Sequence, residues 1–261
     1  MPLSPSSSPH PTAVVHIPHA STIVPADVRA SILIDAEELR HELLVMTDWF
    51  TDDLFAAGAE FATTVAFPVS RLVVDPERFT DDAEEPMAAR GMGVIYERAS
   101  TGAPLRRPPT PPERSALLER YYVPHHTALA NAVESSVQAN GRCLLIDGHS
   151  FSSAPLQHEP DQSASRPDVC IGADAFHTPE GLVARAASLV RDAGWSVEIN
   201  RPFSGTMVPL AYYQRDARVA SLMIEVNRRL YMDEQTAVRH AAFTDVQKAL
   251  SLVIRSLIAS T

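Results

Sequence analysis

The sequence has few cysteines, no long apolar run and no excess of positive charge. Its two cysteines, Cys143 and Cys170, lie in separate apolar segments, which predicts buried free thiols instead of a disulfide or a cysteine metal site. No apolar run reaches the ~20 residues that a membrane span needs, and no signal-peptide pattern opens the chain, so we expect a cytoplasmic protein without a membrane partner. The formal net charge of -10 disfavours nucleic acid as a partner.

The remaining composition is that of an ordinary globular protein. The 261 residues are 45% hydrophobic and 21% charged, which is enough apolar material for a sizeable core. Residues 1–12 are rich in proline and serine and are predicted to form a disordered tail. We expect residues 13–261 to form a single catalytic α/β domain, while the sequence leaves the oligomeric state open.

Short apolar runs alternate with longer helical patterns along the chain. Residues 13–17, 143–147 and 221–226 read as buried strands, whereas residues 37–57 and 239–258 carry apolar side chains at helical spacing. This alternation predicts a mainly parallel sheet covered by helices on both faces.

Residues 81–112 lack apolar periodicity and contain many prolines and charges. This pattern predicts a long loop. We interpret it as a lid that closes over the substrate and excludes water.

Polar side chains stand at the ends of the three predicted strands. His19 follows the first strand, Asp147 and His149 come at the end of the central one, and Glu225 lies near the end of the last. The ends of parallel strands meet at one edge of a sheet, where α/β proteins bind ligands. Two imidazoles and a carboxylate can hold zinc with one open position for water. The pattern alone fits a metal site, but a histidine at the end of a strand is more often structural, and no compact His-Glu-x-x-His signature is present.

An ordered set of motifs resembles the N-formylglutamate amidohydrolase family from about Val14 to the C-terminal helix. The combination is specific because chance rarely supplies all of these motifs in one order along a single chain. The matching segments are His16-Ile-Pro-His19-Ala-Ser21, Thr47-Asp48-Trp49, Ser70-Arg71 through Asp75 to Arg78, Asp147-Gly-His149-Ser150, Asn200-Arg-Pro-Phe203-Ser-Gly205 and Ile224-Glu225-Val226-Asn227-Arg228.

The resemblance implies a fold and a metal site. The family looks related to the zinc carboxypeptidases, which implies a three-layer α/β/α sandwich around a mostly parallel mixed sheet and one zinc ion per chain. Their His-x-x-Glu motif is matched only in part, because Thr22 stands where the glutamate would be. We therefore assign zinc to His19, His149 and Asp48, with Asp52, one turn later in the predicted helix, as the alternative third ligand.

The resemblance also implies an activity, the hydrolysis of N-formyl-L-glutamate, or of a similar N-acyl acidic amino acid, to formate and glutamate. Glu225 is the candidate general base that activates the water. Arg71 is assigned with the metal to stabilisation of the oxyanion. The competing interpretation of Glu225 is a buried carboxylate paired to Arg228 or Arg71.

The small-molecule substrate carries carboxylates, which guanidinium groups bind with two parallel hydrogen bonds. Arg78 and Arg228 are the candidate clamps, and Asn200 and Gly205 mark a turn where backbone can approach the ligand or simply reverse direction. The sequence departs from the family at Asp75-Pro76-Glu77-Arg78, where Asp-Leu-Asn-Arg is usual. This departure bears on which acyl amino acid is preferred.

Two further functions fit the same sequence. One is a deacylase or carboxypeptidase-like hydrolase that acts on another N-acyl amino acid or on a short peptide. The other is a metal-free protein that binds a small acid without catalysis. The presence of His19, His149 and Glu225 together argues for an active site.

Overall fold

A six-stranded mixed sheet forms the centre of the computed structural model, which describes residues 11–56 and 61–260. The spatial order is β2-β1-β3-β6-β4-β5. All neighbouring strands are parallel except β4 and β6, which are antiparallel. The strands are β1 (Ala13–Ile17), β2 (Ala62–Ala66), β3 (Cys143–Phe151), β4 (Val169–Gly172), β5 (Val197–Ile199) and β6 (Val219–Asn227).

Helices cover both faces of this sheet. Leu144 and Ile146 of β3 pack into an apolar cluster on one face, and Leu145 packs into a second cluster on the other, as alternation along a strand requires. The predicted three-layer α/β/α sandwich around a mostly parallel mixed sheet is confirmed. The helices are α1 (Ala26–Arg29), α2 (Ala36–Met46), α3 (Thr51–Ala56), α4 (Pro111–Leu117), α5 (Val123–Asn140), α6 (Glu180–Asp192) and α7 (Phe243–Ala259).

The layers follow from the contacts of the helices. Helix α7 contacts both α3 and α6 on one side of the sheet, whereas α5 packs on β1, β2 and β3 from the other. Helix α5 is preceded by a π-helical turn, Leu118–Tyr122, and ends at Gly141, whose φ of 74° suits glycine. None of the described helices combines the length and apolar character needed to cross a membrane.

The single long helix predicted over residues 37–57 is wrong. The structure ends α2 at Met46 and begins α3 at Thr51, with Thr47 extended and Phe50 at a φ of 64° between them. The apolar spacing continues across this break, so periodicity alone could not reveal it. A backbone hydrogen bond of 3.0 Å from Asp48 N to His19 O fixes the break against the end of β1. The predicted stop at Gly58 lies outside the described residues.

Other element boundaries also differ from the prediction, and two of them change the interpretation. Strand β3 continues through His149 to Phe151 because β6 pairs with it along its whole length. Helix α7 begins at Phe243 instead of residue 239, since Val238–Arg239 (β8) pairs with Met232–Asp233 (β7) in a short hairpin. The first change matters for function, because it places His149 within the sheet.

The segment 81–112 is largely irregular, as predicted, with one 3-10 turn at Ala88–Arg90. It is tied to the domain by Glu42 of α2, whose carboxylate accepts hydrogen bonds of 2.6 and 2.8 Å from the backbone N and hydroxyl of Ser100. Tyr96 is fully buried. That the segment moves as a lid stays a prediction.

Both cysteines are buried and free, as predicted. Of the predicted N-terminal tail, residues 1–10 lie outside the described part of the chain. Thr12 already belongs to the fold, because its carbonyl accepts a 3.1 Å hydrogen bond from Leu144 N.

A close backbone approach at Gly172 gives a first testable prediction. A methyl group added there would lie 2.2 Å from the carbonyl oxygen of Gly205 and 2.5 Å from Met223 Cε. We expect Gly172→Ala to lower the free energy of unfolding by about 1–3 kcal/mol in urea titrations, because backbone must move to relieve the overlap. The control is Gly181→Ala in α6, where nothing lies within 4 Å. Equal stability of the two variants would contradict this packing.

Candidate active site

A cavity of about 540 Å³ opens at the carboxyl ends of β1, β3 and β6. These strands are parallel, so their ends meet at one edge, where open α/β sheets bind ligands. Seven of the nine predicted site residues line this cavity: His19, Asp48, Arg71, Arg78, His149, Glu225 and Arg228.

The side chains of His19 and His149 approach one carboxylate oxygen of Asp48. His149 Nδ1 lies 3.0 Å and His19 Nδ1 lies 3.6 Å from Asp48 Oδ2. All three residues are buried, and their ligand-type atoms lie within 4.8 Å of one another. His19 Nδ1 has no hydrogen-bond partner among the described residues. The arrangement can hold a metal ion.

The second ring nitrogen of each histidine faces a carboxylate. His19 Nε2 lies 3.0 Å from Asp75 Oδ1, and His149 Nε2 lies 3.2 Å from Asp147 Oδ1 and 3.3 Å from Glu77 Oε1. Such partners fix the ring orientation and leave Nδ1 available as an acceptor. The sequence prediction assigned no role to Asp75 or Glu77. The sequence signal that could have identified Asp75 is its position directly after the apolar run 72–74.

Asp75 is itself held by two donors from neighbouring segments. Arg71 Nη2 donates to Asp75 Oδ2 over 2.8 Å, and the Tyr96 hydroxyl donates to the same oxygen over 2.5 Å. Arg71 Nε donates to the Tyr96 oxygen over 3.1 Å. Arg71 therefore supports His19 through Asp75 while it lines the cavity.

Arg228 occupies a supporting position. Its Nη2 lies 3.1 Å from Asp48 Oδ1, its Nη1 donates to Val45 O over 2.7 Å, and its remaining contacts are to Ser150. The guanidinium is engaged with Asp48 and backbone, whereas the sequence prediction assigned it to the substrate. The break between α2 and α3 creates this contact, which the sequence pattern did not reveal.

Burial and charge act in opposite directions on the site histidines. Burial acts to lower the pKa of His149, but the carboxylates of Glu77, Asp147 and Asp48 hold it well above its usual range. For His19, burial and Arg71 lower the pKa, and Asp75 and Asp48 outweigh them and raise it. The carboxylates of the cluster therefore favour a positive charge at this buried position.

A second group of potential ligands adjoins the first. His16 Nδ1 lies 2.8 Å from Asp147 Oδ1 and 3.8 Å from Glu77 Oε1, and these three residues form another buried or half-buried set. His16 Nε2 lies 2.8 Å from His125 Nε2 of α5, so one proton is shared between the two rings. Both nitrogens of His16 are therefore occupied within the protein.

Glu225 lies beside the histidine cluster. It is the in-register neighbour of His149 on the adjacent strand and is 7% exposed. Burial raises its pKa to about 8, with Asp48 and Glu77 adding to the rise while His149 opposes it. Glu225 Oε2 has no hydrogen-bond partner within the described chain, and the nearby arginines Arg71 and Arg228 form ion pairs with Asp75 and Asp48.

Arg78 is the most available guanidinium of the cavity. Its Nε lies 3.6 Å from Asp75 Oδ2 and its Nη1 lies 3.9 Å from Glu85 Oε1, both too long for hydrogen bonds. About a quarter of the side chain, 26%, is exposed. Arg78 can therefore turn its donors to an anionic ligand.

The other two of the nine predicted residues, Asn200 and Gly205, and the alternative ligand Asp52 lie outside the cavity. Asn200 is exposed, and its Oδ1 accepts a 2.8 Å hydrogen bond from Ala173 N, which is the role of a turn residue. Gly205 adopts a φ of 85° and lines a neighbouring cavity instead. Asp52 is exposed on α3 and belongs to neither described group of potential metal ligands, whereas Asp48 belongs to the first.

The α/β/α sandwich carries a buried cluster of histidines and carboxylates at the carboxyl ends of its parallel strands, an arrangement suited to a hydrolase. Residues 12–232 match the family model of the N-formylglutamate amidohydrolases, and the chain belongs to that family. The resemblance found in the sequence is confirmed, and the protein is an amidohydrolase.

One solved structure supports the same conclusion, and a second shares the fold. An N-formylglutamate amidohydrolase from Ralstonia eutropha JMP134 is 26% identical, with a TM-score of 0.85 over 97% of this chain and 95% of the other. A gene product from Agrobacterium tumefaciens is 19% identical, with a TM-score of 0.68 over 96% and 91% of the two chains, and shares the fold. No curated protein matches the sequence significantly.

Proposed function

We propose that this protein is a zinc-dependent enzyme that hydrolyses N-formyl-L-glutamate to formate and L-glutamate. The observation that carries the proposal is the approach of His19 Nδ1 and His149 Nδ1 to one oxygen of Asp48. Family membership supports the reaction type, and the likeness to the N-formylglutamate amidohydrolase of Ralstonia eutropha supports the substrate.

The three side chains fit a zinc ion in type and spacing. Adjacent ligands of a tetrahedral zinc ion, at bonds of about 2.0–2.2 Å, lie roughly 3.3 Å apart. The separations of 3.0 and 3.6 Å from Asp48 Oδ2 to the two Nδ1 atoms lie on either side of that value. The Nδ1 atom of buried His19 has no hydrogen-bond partner among the described residues, and its lone pair could bind a cation. A zinc ion held there would polarise the amide carbonyl and lower the pKa of water.

The protein's own groups supply the proton transfers. In its ionised form, which a metal cation beside it would favour, Glu225 can take a proton from the attacking water and pass it to the leaving nitrogen. Its position beside His149 in the sheet keeps the carboxylate at the reacting amide. Arg71 lines the same cavity, and its positive charge stabilises the oxyanion that develops on the carbonyl.

Substrate binding is assigned to Arg78. Its loosely held guanidinium can form two parallel hydrogen bonds to a carboxylate, which orients the amide towards His19, Asp48 and His149. Arg228 is assigned to holding Asp48 in place. The cavity of about 540 Å³ is of the size that small-molecule sites have.

The experiment is a substrate panel with the zinc-loaded protein, in which formate and free amino acid are both quantified. We expect N-formyl-L-glutamate to give equal amounts of formate and glutamate and to be cleaved faster than N-acetyl-L-glutamate or a glutamyl dipeptide. Cleavage of N-acetyl-L-aspartate without cleavage of N-formyl-L-glutamate would overturn the substrate. Less than about half an equivalent of bound zinc, with no activity on adding metal, would favour the binding-protein alternative.

A further inference from the structure

A second cavity, of about 310 Å³, adjoins the catalytic cavity. We call it the side cavity. The side cavity and the catalytic cavity of about 540 Å³ share a wall. Five residues line both cavities: Glu77, Arg78, Phe79, Ser204 and Met223. A ligand bound at Arg78 can therefore reach into either space.

The part of the side cavity away from this shared wall is mainly apolar and aromatic. Leu210 in this part is 60% exposed and Phe79 of the shared wall is 41% exposed, so an apolar ligand can reach both side chains. The other apolar or aromatic residues of this part are Pro76, Tyr122, Met207, Val208 and Tyr213.

Two polar side chains that line the side cavity, Asp147 and His126, are already engaged within the protein. Asp147 accepts hydrogen bonds from His16 and from Met207 N. His126 contacts Pro76 O over 2.8 Å and stacks on Tyr122, and its pKa is lowered by burial, which keeps it neutral. Arg78, in the shared wall, is the one basic residue among the described lining residues. An apolar group matches the part of this space that lies away from Arg78.

The position of Arg78 decides which part of a substrate enters. A carboxylate bound by Arg78 would bring the adjoining α-carbon close to the residues that line both cavities. If the amide on that carbon extends towards His19, Asp48 and His149, the amino-acid side chain can enter the side cavity.

We propose that the side cavity binds the side chain of an apolar amino acid, and that the protein also hydrolyses N-formyl derivatives of amino acids such as phenylalanine and leucine. Water adds across the formyl C–N bond, and the products are formate and the free amino acid. This proposal rests on the proposed amidohydrolase function and extends its substrate class.

The test compares kcat/KM for N-formylglycine, N-formyl-L-phenylalanine and N-formyl-L-glutamate. We expect the phenylalanine derivative to exceed the glycine derivative by about tenfold or more, as apolar side chains do in a fitting pocket. If glutamate is released and phenylalanine is no better than glycine, the side cavity proposal fails alone. Cleavage of the phenylalanine derivative without that of the glutamate derivative removes only the glutamate assignment. No cleavage of any of the three overturns both.

A charge placed in the side cavity provides the matched variant. Leu210→Glu should reduce the phenylalanine-to-glycine ratio of kcat/KM to about one, because a carboxylate there disfavours an apolar group. The control is Leu252→Glu, at a residue of α7 that is 65% exposed and lines neither cavity. An unchanged ratio in Leu210→Glu, or an equal fall in both variants, would contradict the proposal.

Discussion

Glu225→Gln is expected to lower kcat by about 10²–10⁴-fold, the range that general base catalysis contributes. The amide has nearly the same shape as the carboxylate and cannot accept the proton from water. Since Glu225 Oε2 has no hydrogen-bond partner within the described chain, the substitution breaks no contact of that atom. Steady-state kinetics should show an effect on kcat with KM nearly unchanged, the signature of an interaction made in the transition state.

The control for this variant is Glu119→Gln, at an exposed position outside the cavity. Both variants should retain the zinc content of the wild type, because Glu225 is not one of the three assigned ligands. A Glu225→Gln enzyme with more than about a tenth of the wild-type kcat would remove Glu225 from the chemistry. Loss of zinc in that variant would instead assign it to the metal.

Asp48→Asn is expected to abolish stable zinc binding and to lower kcat/KM by roughly 10³-fold or more, because metal catalysis contributes several kcal/mol. The substitution removes the charge at which the two Nδ1 atoms meet. It also leaves Arg228 without its ionic partner, so a loss of stability should accompany it. Zinc is measured by mass spectrometry of the dialysed protein, with circular dichroism as the check of folding.

Asp52→Asn is the matched control, since it makes the same chemical change four residues away on an exposed surface. It should keep one equivalent of zinc and full activity. His149→Asn offers a second route to the same site and should lose zinc as Asp48→Asn does. Equal zinc content in Asp48→Asn and Asp52→Asn would contradict the assignment of Asp48.

The sheet and its functional edge could be predicted from the sequence. The buried strands give continuous apolar runs, and polar residues such as His19 and Glu225 stand out at their ends. The motif set identified the family because it joins these strand ends in a fixed order. Pattern and resemblance together were therefore sufficient for the fold class and for the residues that meet in the cavity.

The contacts that decide each residue's role could not be predicted. The apolar spacing through residues 37–57 is continuous, so only the tertiary hydrogen bond from Asp48 N to His19 O reveals the break that places Asp48 beside His149. The same break directs Arg228 to Asp48 and away from the substrate. Asp75 and Glu77 contact the histidines through a loop without regular structure, where no periodicity indicates direction.

The most direct measurement is the position of zinc in crystals of the protein, located by anomalous diffraction at the zinc absorption edge. The account predicts a single peak within bonding distance of His19 Nδ1, Asp48 Oδ2 and His149 Nδ1, with Glu225 beside it. A peak between His16, Glu77 and Asp147, or no peak in fully active protein, would contradict it.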